Sequence, residues 1–248
     1  MSAALLWSSA DSSAEVWHGD ALDPEHVAAI MGDRVADALV VDAPYSARTH
    51  RGHDTIAAER TDADTRTLDY AAWGDEDVGA FCGIWLPRVR GWAVSITDHT
   101  LAPAWEAALA ASGRCGFPPV PIVESGSRCR ITGDGPSCWT CWAIVARPRT
   151  VPWSRWGTLR GAYLTGRESK PVVGGKPLAA MLPLVGDYSR RGDLVVDPCC
   201  GGGTTGLAAR QCGRRVILVD RDVAHCEITI RRVRDAREQM TLGIGGAS

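Results

Sequence analysis

Two short stretches hold the residue types that chemistry needs. The first, LVVDPCCGGGTTGLAA (Leu194–Ala209), runs from apolar residues through an acid, Asp197, into a glycine cluster and then small helix formers. Gly201, Gly203 and Gly206 spell G-x-G-x-x-G, and a further acid, Asp220, ends the next apolar run about 20 residues on. Strand, glycine turn and helix in that order cradle a nucleotide-like cofactor, with Asp220 in place to accept from ribose hydroxyls. A P-loop is excluded, because no Gly-Lys-Ser/Thr follows. The second stretch, ADALVVDAPY (Ala36–Tyr45), is an apolar run stopped by Asp42, Ala43, Pro44 and Tyr45. A carboxylate, a turn proline and an aromatic at a strand end suit an acceptor for an amine and a platform for a flat ring. They also suit a plain strand-ending turn.

The glycine loop leaves a dinucleotide and S-adenosylmethionine open. Asp197 disfavours a nearby pyrophosphate but suits the cationic amino acid end of the methyl donor. Few residues follow Asp220, so most of the sheet must come from the N-terminal half, which makes the sheet circularly permuted.

The elements that must position these residues read as alternating strands and helices. Strands are expected at Glu15–Ala21, Ala36–Tyr45, Gly91–Asp98, Cys138–Arg147, Asp193–Asp197 and Arg215–Asp220. Helices are expected at Pro24–Met31, Asp75–Val89, Ala102–Ser112, Pro177–Tyr188, Thr204–Cys212 and Val223–Met240. The pattern predicts an α/β fold with a mostly parallel sheet and helices on both faces. At 248 residues it suits a single domain over 1–248. A formal charge of −2 and 45% hydrophobic content describe an ordinary globular protein. No apolar run approaches a membrane span, and the N-terminus lacks the pattern of a signal peptide. Nine irregularly spaced cysteines favour reduced thiols and a cytoplasmic location over a disulfide framework.

Together the motifs resemble the β-class amino-methyltransferases of DNA, which methylate adenine N6 or cytosine N4. DPCCGGGTT is similar to their cofactor loop, DAPY to their catalytic Asp-Pro-Pro-Tyr, GGKP (Gly174–Pro177) to a Lys-Pro element opening a cofactor-side helix, and HGDAL (His18–Leu22) to a Gly-Asp that reaches the cofactor adenine. Ala43 stands where the family usually has proline. The catalytic motif precedes the cofactor loop, as in the β class. The resemblance implies a Rossmann-like, S-adenosylmethionine-dependent methyltransferase fold, with a catalytic half over about 16–147, a DNA-contact segment over about 148–175 and a cofactor-binding half over about 176–240. It implies catalytic roles for Asp42, Ala43, Pro44 and Tyr45, and cofactor roles for Asp20, Lys176, Asp197, Pro198, Cys199, Gly201, Gly203, Thr204 and Asp220. It further implies transfer to adenine N6 of double-stranded DNA, base flipping, a restriction–modification setting, a possible homodimer and no metal. Cytosine N4 stays open as the alternative target.

DNA contact requires positive charge. Arg155 and Arg160 lie in a basic stretch interleaved with Trp153, Trp156 and Tyr163, a pattern that suits phosphate contact and stacking but also a solvated loop with core aromatics. Arg48 and Arg51 follow the catalytic tetrapeptide and are expected to close over the flipped base. Cys138 and Cys141 form C-x-x-C, but positions three apart in a strand face opposite sides, against a zinc site. His225 reads as a surface helix residue. A nicotinamide oxidoreductase would leave DAPY and GGKP unexplained. Enzymes acting on RNA or a protein glutamine amide usually place the cofactor loop first, and a non-catalytic DNA-binding relative has no need of Asp42 and Tyr45.

Overall fold

The computed structural model describes residues 2–50, 70–126, 138–150, 156–234 and 236. The elements run β1 (Ala4–Ser8), β2 (Ala14–His18), α1 (Pro24–Met31), β3 (Ala36–Asp42), α2 (Asp75–Trp85), β4 (Val89–Thr97), α3 (Ala102–Ala111), β5 (Arg114–Gly116), β6 (Val120–Ser125), β7 (Thr140–Pro148), β8 (Tyr163–Gly166), α4 (Leu178–Tyr188), β9 (Leu194–Asp197), α5 (Thr204–Gln211), β10 (Arg215–Asp220) and α6 (Val223–Arg234). The strands form one sheet in the order β1-β2-β10-β9-β3-β4-β7-β6-β8, with β5 also paired to β7. The five strands from β2 to β4 are mutually parallel. β7 is antiparallel to β4, and β1 is antiparallel to β2.

The central strands are apolar throughout because both faces are covered. Along β3, Leu39 and Val41 face one core, with Ile30 of α1, Phe81 and Trp85 of α2, and Trp105 of α3. Ala38 and Val40 face the other, with Leu184 of α4, Ala208 of α5 and Cys226 of α6. The expected permutation is seen directly: β9 and β10, from the end of the chain, lie between β2 and β3. This is the expected α/β arrangement, a circularly permuted, mostly parallel sheet with helices on both faces.

The sequence reading missed β1, β5, β6 and β8. β6 contains Pro121 and follows Phe117-Pro118-Pro119, a stretch without strand alternation. Proline is tolerated there because β6 lies in the outer, irregular part of the sheet. The expected strands over Glu15–Ala21 and Ala36–Tyr45 stop at His18 and Asp42, where the chain leaves the sheet to build the site. The far end of the helix expected to reach Met240 lies outside the described residues.

Candidate active site

β3 and β9 are neighbours, but β3 leads to α2 on one face and β9 to α5 on the other. Such a reversal opens a crevice at the C-terminal ends of the strands. A cavity of about 260 Å³ occupies it, lined by Gly19–Leu22, Asp42–Tyr45, Tyr70, Trp73, Val172–Lys176, most of Asp197–Thr205, and Asp220, Arg221 and His225. Both stretches singled out by their chemistry therefore meet in one cavity.

On the catalytic side, β3 delivers Asp42 to the rim. Oδ2 of Asp42 accepts from Lys176 Nζ at 2.7 Å, while Oδ1 is buried with no hydrogen-bond partner among the described residues. Lys176 also donates to the Gly174 carbonyl at 3.1 Å and lies 4.8 Å from the centre of the Tyr45 ring. Burial acts most strongly and would lower the ammonium's pKa, but Asp42, Cys141 and Tyr70 together outweigh it and raise it. Burial, with Cys141 and Asp42 nearby, pushes the Tyr45 phenol well above its ordinary value, so the hydroxyl stays protonated.

The backbone after Tyr45 is held by Asp98, at the end of β4. Its carboxylate accepts from the Ser46 N–H (3.0 Å), the Ser46 hydroxyl (2.6 Å), the Thr49 hydroxyl (2.5 Å) and the N–H groups of Thr100 and Leu101 (3.0 Å each). Burial opposes ionisation of Asp98, but these hydrogen bonds prevail and its pKa falls below the usual range. Sequence reading passed over Asp98, although it ends an apolar strand just as Asp42 does.

On the opposite side, the glycine loop comes closer to its neighbours than any other residue type permits. Gly203 has φ +74°, and a Cβ there would lie 2.7 Å from Thr229 Oγ1 of α6. A Cβ on Gly206 would lie 2.3 Å from the Leu218 side chain of β10. Gly203 itself does not line the cavity; it shapes the turn. Thr229 donates to the Gly201 carbonyl at 2.8 Å, and Arg232 donates to the Gly202 carbonyl and the Thr204 hydroxyl. Oδ2 of Asp220 accepts from the Gly201 N–H at 2.7 Å, and Oδ1 from the Asp222 N–H at 2.9 Å. Asp220 thus holds the loop as well as facing the cavity. Asp20 accepts from the Leu22 N–H at 2.9 Å.

Asp197 is only 1% exposed and accepts from the Cys199 N–H at 3.1 Å. Burial pushes its pKa up to about 7. Burial also raises the Cys199 thiol well above its ordinary value, which leaves it a poor nucleophile. The glycine cradle, a desolvated carboxylate suited to a cation, and an orphaned acceptor on Asp42 fit the methyl donor together.

Four expectations meet a different placement. Lys176, expected on the cofactor side, pairs with Asp42 because the Gly174–Gly175 turn swings its side chain across the cavity. His225 is not a surface residue: it is half-buried, lines the cavity and lies 3.5 Å from Asp220 Oδ1. Arg160 pairs with Asp187 at 2.5 Å, and Asp187 also accepts from the Tyr163 hydroxyl at 2.8 Å. Asp187 lies in the last turn of α4, about 14 Å along the helix from Leu178. Arg160 therefore sits at the far edge of the sheet. The neighbouring aromatics are packing groups, with Tyr163 2% exposed and Trp156 set between Trp92 and Arg190. Arg48 is exposed in the helical residues 47–50 after the tetrapeptide, while Arg51, Trp153 and Arg155 lie outside the described residues.

Comparison with known proteins adds to this geometry. The family model described as DNA methylase, of the N6 and N4 type, matches residues 151–231. That segment carries the Lys-Pro element, the glycine loop and Asp220. Among solved structures, the complex of M1.HpyAVI with S-adenosylmethionine superposes with a TM-score of 0.64 at 20% identity, covering 89% of this chain and 98% of that one. TTHA0409 from Thermus thermophilus, complexed with S-adenosyl-L-methionine, gives 0.55 at 16% identity over 89% and 95%. The PvuII DNA methyltransferase, described as cytosine-N4-specific, gives 0.55 at 11% identity over 91% and 87%. At these identities the likeness is one of fold.

Proposed function

We propose that this chain is a site-specific DNA methyltransferase that transfers a methyl group from S-adenosylmethionine to N6 of adenine in double-stranded DNA. The observation that carries the reading is the buried, unpartnered Oδ1 of Asp42 in the same cavity as the glycine loop. When bound, S-adenosylmethionine supplies an electrophilic methyl group. Gly201, Gly202 and Thr204 cradle it, Asp197 takes its cationic end, Asp220 its ribose and Asp20 its adenine.

The exocyclic amine of a base is a poor nucleophile, because its lone pair is delocalised into the ring. Oδ1 of Asp42 and the carbonyl of Ala43 accept its two N–H groups and draw the nitrogen toward a tetrahedral shape. They also stabilise the positive charge that grows on nitrogen before it releases a proton. The Tyr45 ring offers a face for the extruded base, a contact of about 1–3 kcal/mol. Lys176 holds the opposite oxygen of Asp42 at 2.7 Å, which leaves Oδ1 to face the base.

The acid at the head of DAPY favours adenine by resemblance, since relatives acting on cytosine N4 more often carry serine there. Cytosine N4 is the second reading, supported by the similar fold of the PvuII enzyme. A cytoplasmic location follows from a DNA substrate, and no described helix is long and apolar enough to cross a membrane. Labelled cofactor and mixed-sequence duplex, followed by digestion to nucleosides, test the proposal. Label in N6-methyladenine is expected. Label in N4-methylcytosine overturns the base assignment, and label in no nucleoside despite cofactor binding overturns the DNA assignment.

A further inference from the structure

We propose that Lys176 is a positioning residue for the catalytic carboxylate, holding Oδ2 of Asp42 so that Oδ1 alone is presented to the target amine. The inference rests on the methyltransferase reading above. Three observations carry it. The Nζ–Oδ2 distance is 2.7 Å, and the Lys176 side chain is 10% exposed. The other carboxylate oxygen is buried and has no partner. The ammonium is fixed from two further directions, by the Gly174 carbonyl and the Tyr45 ring.

The backbone explains how the lysine is held. Gly174 has φ +78°, which turns its carbonyl toward the ammonium. Pro177 follows directly in an extended conformation and opens α4, fixing the approach of residue 176. The lysine thus reaches Asp42 from an element formed late in the chain.

The physical case is one of rotation and charge. A carboxylate with two free oxygens can rotate and present either one, and loses that freedom on binding the amine. A charge-assisted bond to one oxygen removes this cost beforehand. An unpaired cation would oppose the positive charge growing on the nitrogen. Matched to Asp42 and placed against the Tyr45 ring, the ammonium is balanced by its own partner. It also keeps Asp42 an acceptor that does not need to take the proton.

The groups facing this pair are Tyr45 after β3, Cys141 on β7, Tyr70 before α2 and Asp197 on β9, with Lys170 beyond Cys141. Burial raises both the Tyr45 phenol and the Cys141 thiol, so neither ionises near neutral pH.

The test uses the full chain, S-adenosylmethionine and duplex DNA, with wild type, Lys176→Met, Lys176→Gln and Lys176→Arg. Cofactor affinity measured without DNA reports whether each variant keeps its site. We expect Lys176→Met and Lys176→Gln to bind cofactor within about twofold of wild type, while kcat falls about ten- to a hundredfold, the loss of one charge-assisted contact. Lys176→Arg should restore most of kcat, and KM for DNA should change little. Unchanged kcat in Lys176→Met overturns the proposal. So does a tenfold loss of cofactor affinity with kcat intact, which would return the lysine to the cofactor side. If wild type itself binds cofactor but labels no nucleoside, the methyltransferase reading fails first and the proposal falls with it.

Discussion

Acidifying the solution should weaken cofactor binding through one group, Asp197. Its carboxyl is 1% exposed at the foot of the glycine loop, and burial pushes its pKa up to about 7. In the free protein at about pH 6, roughly nine in ten molecules then carry the proton. A ligand with a cationic amino acid end prefers the carboxylate and must expel that proton on binding. Apparent affinity should fall about tenfold for each pH unit below about 7 and level off above it. Calorimetric titration in buffers of different ionisation enthalpy counts the protons, and about 0.9 should leave per cofactor bound at about pH 6. Asp197→Asn should remove both the slope and the proton. The same group shapes the stability of the free protein. Its folded pKa lies above the ordinary 3.8, so its contribution is fully present below about pH 4 and is lost as pH rises through about 7. The loss amounts to roughly 4 kcal/mol across that window. If wild type releases no proton at about pH 6, or Asp197→Asn keeps the wild-type slope, Asp197 does not meet the cationic end.

Two further perturbations probe the scaffold. Gly203→Ala should destabilise the chain by about 2–4 kcal/mol in urea unfolding, from a left-handed backbone plus collision with Thr229, and Thr229→Ala should relieve part of that loss. Asp98→Ala should cost about 3 kcal/mol by leaving buried donors of Ser46 and Leu101 unpaired, and should slow single-turnover methylation while cofactor affinity stays near wild type.

Much of the site was legible because its signals are local. The acid that stops each apolar run, and the glycines that must follow it, are read within one strand–turn–helix unit, and β3, β9 and β10 appear close to where they were expected. What was not legible depends on distant partners. Nothing near Lys176 announces Asp42, which lies on another strand, and nothing near Arg160 announces Asp187. Basic and aromatic residues interleaved over 147–176 suggested a DNA surface. Tyr163 and Trp156 instead pack into or against a core, Arg160 pairs with Asp187, and Lys170 pairs with Glu124. The edge strands went unseen because short strands with proline or exposed leucines show no alternation to read.

The insertion of β9 and β10 between β2 and β3 governs when the molecule can act. As the chain emerges from the ribosome, β2 and β3 are completed early, yet they face a gap two strands wide until Leu194–Asp220 has been made. Over that interval both strands expose unpaired backbone edges, and the contacts that close the sheet are among the most distant in the sequence. Folding of the centre must therefore follow synthesis and cannot run alongside it. A chain released before β9 contains the whole DAPY tetrapeptide and Lys176 but has no glycine loop, no Asp220 and no completed sheet. On the reading proposed above, such a fragment is expected to bind no cofactor, which a calorimetric titration of a chain ending before Leu194 would check.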